Sequence, residues 1–231
     1  MRTALTRLPL SLRCLLGAAL ILAVDGAAAR ADCPSPVKPK VTVTLTHDPP
    51  REDRSLPVGT LTQMRVGPRP AAYPHSLGLT ESRVTADVAL STQGMLKSAG
   101  YCAAIGAAEV TLHLSSVVHI ASGIAPGSCI DREVRRHEQM HLDLALTLLD
   151  TASTQVRDAL AGVAAEPIGT GGLGDADRAL QARAEAAIDR AMLDFAATAR
   201  ERQAGLDTEE EYARVSQVCG AAAFEQVFQG E

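Results

Sequence analysis

One stretch of this chain spaces its side chains as a metal site requires. The run Val134-Arg135-Arg136-His137-Glu138-Gln139-Met140-His141-Leu142-Asp143-Leu144-Ala145 sets two histidines one helical turn apart, with a glutamate directly after the first. On a helix, positions i and i+4 stand one above the other on the same face, so both imidazoles can reach one cation. Glu138 projects about 100° further round, near enough to hold a water at that cation. This is the HExxH pattern, and its chemistry is metal-assisted hydrolysis: two His ligands hold Zn²⁺ and the Glu is the general base. With six His in 231 residues, random placement produces such a match about 0.01 times in a chain of this size.

A hydrolytic zinc takes three protein ligands and keeps a fourth position for water. The metzincin continuation HExxHxxGxxH is absent, since Leu144 and Thr147 stand where its Gly and His would fall. The gluzincin solution draws a Glu from a later helix. Here Glu209, Glu210 and Glu211 precede Tyr212. Glu211 is preferred, because Tyr212 beside it can then face the substrate oxyanion or bind the metal itself. Glu209, Glu210 and Tyr212 remain open as third ligand, and a solvated acidic helix start accounts for the run equally well. His113 and His119 fall in a strand and read as half-exposed side chains. Asp143 reads as solvent-facing, with orientation of an imidazole as the other role open to it. There is no GxSxG elbow, and the Gly-rich segment 169–174 lacks the ending of a phosphate loop and reads as a hinge.

The run Gly127-Ser128-Cys129, then His137-Glu138-Gln139-Met140-His141, then Asp207-Thr208-Glu209-Glu210-Glu211-Tyr212 with Cys219 beyond, resembles predicted secreted zinc-dependent proteases of Gram-negative bacteria. The likeness covers about residues 101–219, with the intervening helices unmatched. It implies a zincin-like fold and a zinc-dependent peptidase activity.

The elements that must position these residues follow from periodicity. Val41, Val43 and Leu45 alternate with threonines, as do Val84, Ala86, Val88 and Leu90 with polar residues, giving two strands. Residues 48–76 read as a long loop with at most one short strand, and 108–121 as a long strand or a hairpin, ended by Gly123, Pro126 and Gly127. A helix is predicted from Ile130 to about Ala161, with Ser128 as N-cap and Asp131 in its first turn. Its apolar residues, Val134 to Leu149, run nearly all round and predict burial. Glu166 to Gly174 is a flexible turn. A second helix is predicted from Asp175 to Gln203, stopped by Gly205. A third, capped by Asp207 or Thr208, runs from Glu209 to near Gln229. Strands followed by helices predict an α+β fold: a small N-terminal antiparallel sheet packed on a C-terminal helical part that carries the HExxH helix.

Export is expected from the N-terminus. Arg2, Arg7 and Arg13 precede an apolar run from Leu15 to Val24 and then Ala29-Arg30-Ala31, the layout of a signal peptide over residues 1–31. The remainder, 32–231, is expected to be one zincin-like domain, strand-rich over 32–127 and helical over 128–231, in the periplasm or outside the cell. The apolar run is shorter than the ~20 residues of a stable span, so no membrane span is expected after cleavage. Beyond Cys14 the chain has Cys33, Cys102, Cys129 and Cys219. An even count in an oxidising compartment predicts two disulfides; three pairings are possible, and Cys33–Cys102 with Cys129–Cys219 is favoured. The formal charge of -5 excludes nucleic acid as a partner, since a phosphate backbone would go unneutralised. The partner expected is a peptide or protein substrate. The alternative is a secreted metal-binding or envelope-interaction protein without catalysis, whose site would be closed by a fourth protein ligand.

Overall fold

A computed structural model describes Cys33 and residues 39–65, 71–97, 100–170 and 172–229. The signal peptide expected over residues 1–31 lies outside them. The elements are β1 (Lys40–His47), β2 (Arg51–Asp53), α1 (Val58–Met64), β3 (Gly78–Lys97), β4 (Gly100–Ile120), α2 (Cys129–Ala164), β5 (Ile168–Thr170), α3 (Leu173–Ala204), α4 (Glu209–Cys219) and α5 (Ala221–Gln229). The fold is α+β, and among the described residues the strands form a five-stranded sheet. In it β4 pairs with β1 and β2, and also with β3 and β5.

That sheet is mixed, not wholly antiparallel. The Asp48 N–H donates to the Leu114 carbonyl, and a few residues later Arg51 aligns with Val117 and Asp53 with His119, in parallel register. The chain leaving β1 advances along β4 in the direction β4 itself runs, which forces the parallel sense. β5 pairs antiparallel, Tyr101 opposite Thr170.

Several expected boundaries shift. Residues 58–64, read as loop, form α1: Pro57 takes the N-cap, and Val58 and Leu61, three positions apart, are its buried residues. The strands of 78–97 and 100–120 extend well beyond their alternating cores. The Gly-rich turn after α2 includes the three residues of β5. The single third helix is two, because Gly220 adopts φ 77° and its N–H closes on the Ser216 carbonyl, ending α4. α2 is not apolar all round: Leu142, Leu148 and Leu149 are buried but Leu146 is exposed. The N-cap holds, with Ser128 Oγ accepting from the Asp131 N–H at 3.1 Å.

The chain divides into two compact units. One comprises residues 1–44, 87–111 and 156–190, the other 45–86, 112–155 and 191–231. In the first, Ile105, Val110, Val156, Leu160 and Leu180 are buried, Cys33 is bonded to Cys102, and Thr92 donates to Asp177 at 2.6 Å. In the second, α1 (Val58, Leu61), the end of β4 with the residue after it (Ile120, Ala121), the start of α2 (Ile130, Val134) and Val227 of α5 belong to one apolar cluster. Cys129, the first residue of α2, is bonded to Cys219, the last of α4. Among the described residues, no helix is long and apolar enough to cross a membrane.

Candidate metal centre

All the residues singled out for chemistry lie in the second unit. α2 brings His137 and His141 onto one face, with their Nε2 atoms 3.1 Å apart. Asp207, in the turn between α3 and α4, points its Oδ1 at both: 3.1 Å from His137 Nε2 and 3.5 Å from His141 Nε2. A tetrahedral zinc with bonds of about 2.0–2.1 Å has ligand-to-ligand edges of about 3.3 Å. The three observed separations bracket that edge, so these three atoms can hold a metal ion. Among the described residues, the cluster of metal-binding groups is His137, His141 and Asp207. The side chains are 12%, 12% and 18% exposed.

Glu211, the preferred third ligand, does not share that focus. Its carboxylate is held by Arg136 and by Arg214, which donates to it at 3.0 Å. It faces the outer nitrogen of His137, with Oε1 3.5 Å from Nδ1. Glu209 and Glu210 are exposed. Tyr212 donates its hydroxyl to Asp207 Oδ1 at 3.2 Å. Its ring stacks on Tyr73 with centroids 5.6 Å apart, and the Arg65 guanidinium lies 5.4 Å from the ring centre. Arg65 also pairs with Asp207 Oδ2 at 3.1 Å. The strand histidines go elsewhere: His113 meets Asp48, and His119 meets Glu81 and Asp53. Asp143 is exposed and accepts from Gln139 at 2.8 Å.

Glu138 turns towards the sheet. It is 3% exposed, and Thr80 Oγ1 of β3 donates to its Oε2 at 2.8 Å. β3 can approach because residue 78 is glycine: a Cβ there would stand 2.5 Å from Glu138 Oε1 and 2.6 Å from Val134 Cγ1. Glu138 also lines an opening on α2 with Glu52, Val118, Arg135 and Leu142.

The electrostatics follow from burial and pairing. Burial raises the Glu138 pKa above the ordinary carboxylate range, against the charges of His137 and His141 and the Thr80 bond. Burial would also raise Asp207, but the bonds from both imidazoles and the Arg65 charge outweigh it and hold Asp207 far below the usual range. Burial disfavours a charged His141, yet Asp207, Glu138 and Gln203 reverse this and raise its pKa. Tyr212 is raised by burial and then by the Asp207 charge, so it stays a phenol.

Sequence reasoning reached His137, Glu138 and His141 through their spacing and named Tyr212 and Glu211. It took Asp207 for a helix cap and passed over Arg65, Thr80 and Gln203. The available signal was the four-residue step through Gln203, Asp207 and Glu211, which matches the step between the two histidines. Gly205 interrupts it and so hid it. No protein-family model, no curated protein and no solved structure matches the chain.

Proposed function

We propose that the chain is a periplasmic or secreted zinc-dependent endopeptidase of zincin-like design, with His137, His141 and Asp207 as metal ligands. The observation that carries this reading is the convergence of two Nε2 atoms and one carboxylate oxygen at 3.1 to 3.5 Å from one another. Two histidines and a carboxylate suit zinc and leave one coordination position for water or substrate. A bound zinc ion supplies Lewis-acid polarisation of the scissile carbonyl and acidifies the attacking water. Glu138, next to His137 in sequence and raised in pKa by burial, would be the group to take a proton from the attacking water and pass it to the leaving amine. The Tyr212 hydroxyl, which donates to Asp207 Oδ1, would be released to donate to the substrate oxygen when that carboxylate oxygen engages the metal. Arg65 keeps the outer oxygen of Asp207 occupied, so that Oδ1 is the one left for the metal. The two disulfides fit an oxidising compartment.

The second reading, a metal-binding protein without catalysis, draws on one observation: the Glu138 carboxylate is buried and bonded to Thr80. One experiment separates the two. The purified chain is loaded with zinc and assayed on dye-quenched casein, beside Glu138→Gln. Catalysis predicts that the variant keeps its zinc and loses about 10²–10⁴-fold in cleavage rate, the usual contribution of a general base. Zinc binding with no cleavage by the wild-type chain leaves the non-catalytic reading standing.

A further inference from the structure

Both imidazoles have an outer nitrogen as well as an inner one; the outer nitrogen of His141 is hydrogen-bonded to an acceptor, and that of His137 has a carboxylate oxygen near it, 3.5 Å away. Gln203, near the end of α3, grips His141 at two points. Its Nε2 donates to the His141 carbonyl at 3.1 Å, and its Oε1 lies 2.5 Å from His141 Nδ1. The first contact fixes the amide orientation, because a carbonyl oxygen can only accept. Oε1 therefore faces Nδ1, so Nδ1 carries a hydrogen and donates it. In the neutral ring, the lone pair is then left on Nε2, the atom aimed at Asp207. Across the site, His137 Nδ1 is buried and without a hydrogen bond; Glu211 Oε1, an acceptor only, stands 3.5 Å from it.

From this arrangement we infer that Gln203 and Glu211 are positioning residues of the metal site. Each selects the Nδ1–H form of one histidine, so that both Nε2 lone pairs turn to the focus that Asp207 completes. The inference rests on the metal-site reading proposed above. It changes the role of Glu211 from ligand to orienting acceptor. Arg136 and Arg214 fit that role: they anchor the carboxylate from outside the focus. Such outer partners fix ring orientation and ligand basicity, and losing one typically weakens metal binding by 10–100-fold.

The test uses zinc alone as probe. Zinc affinity is measured by competition with a chromophoric chelator for the wild-type chain, Gln203→Met, Gln203→Glu, Glu211→Leu, Glu211→Gln and Asp207→Ala. Thermal unfolding of each zinc-free chain reports whether it folds. Gln203→Met and Glu211→Leu are expected to lose 10–100-fold in affinity. Glu211→Gln keeps an acceptor opposite Nδ1 and is expected to restore most of it; Gln203→Glu keeps that acceptor but gives up the bond to the His141 carbonyl, and is expected to restore part of it. Long-range ¹H–¹⁵N spectra of the zinc-loaded protein should show a slowly exchanging Nδ1 proton on His141 in the wild type and Gln203→Glu, and not in Gln203→Met. Folded Gln203→Met and Glu211→Leu chains with wild-type affinity overturn the inference and leave the metal site intact. Glu211→Gln losing as much affinity as Asp207→Ala makes Glu211 a ligand and overturns it as well. A wild-type chain that takes up no zinc overturns the metal-site reading itself, and this inference with it.

Discussion

Asp207 and His141 hold each other in their charged forms, and that coupling makes a defined contribution to how the zinc-free protein responds to pH. Asp207 is depressed in the folded state, so its contribution to stability is present above about 3.9, its unfolded value, and is lost as pH falls through the folded one. His141 is raised, so its contribution is complete below about 6.5 and is lost as pH climbs through the folded value. The cluster therefore stabilises most between about pH 4 and 6.5. Thermal scans of the chelator-stripped chain should show Tm falling above that window; a Tm that rises there would mean His141 is neutral in the cluster. Zinc must displace the same proton, so its affinity should increase with pH. The two histidines and Glu138 were legible from residue types alone because one helical turn relates them. Asp207 was not, because it joins His137 across a separation of 70 residues, and no local periodicity spans that distance.

Among the elements, β3 and α4 carry the strictest local demands. Gly78 lets the start of β3 lie against Glu138 and Val134. Gly78→Ala should cost about 1–3 kcal/mol in urea unfolding, the usual penalty for overpacking, and should reduce casein cleavage while zinc stoichiometry holds. α4 begins at Thr208, whose hydroxyl accepts from the Glu211 N–H at 3.2 Å, so Thr208→Ala should cost about 1 kcal/mol by the same measurement. At its other end Gly220 sits at φ 77° and ψ 153°, a backbone region open essentially to glycine, and Gly220→Ala should cost about 1–3 kcal/mol. The long helices were readable because their apolar periods and caps agree. α1 was missed because a helix of this length shows too little period to stand out from a Pro-rich stretch. β3 and β4 were read short because Gln93-Gly94-Met95 and Ala103 to Ala108 lack the β-branched alternation that marks a strand. There, pairing along the hairpin overrides local propensity.

For the molecule as a whole, the Cys129–Cys219 bond spans 90 residues and encloses the entire α2–α3 hairpin. Loop-closure entropy assigns such a bond about 4–5 kcal/mol. The double variant Cys129→Ser/Cys219→Ser should therefore unfold at markedly lower temperature, and wild-type protein in reductant should follow it; coincident melting curves with and without reductant would discount the bond. Between α2 and α4 the contacts keep one antiparallel register: Cys129 with Cys219, Glu133 with Arg214 at 2.6 Å, Arg136 with Glu211, and His137 with Asp207. The helix pair is thus fastened at one end by sulfur and drawn together at the other by imidazole and carboxylate. The bond holds the far end of α4 against the start of α2 whether or not Asp207 is engaged, and so narrows the positions open to the Asp207 turn. Should the chain bind zinc, forming this bond first would leave fewer chain conformations to be lost when the ion is bound.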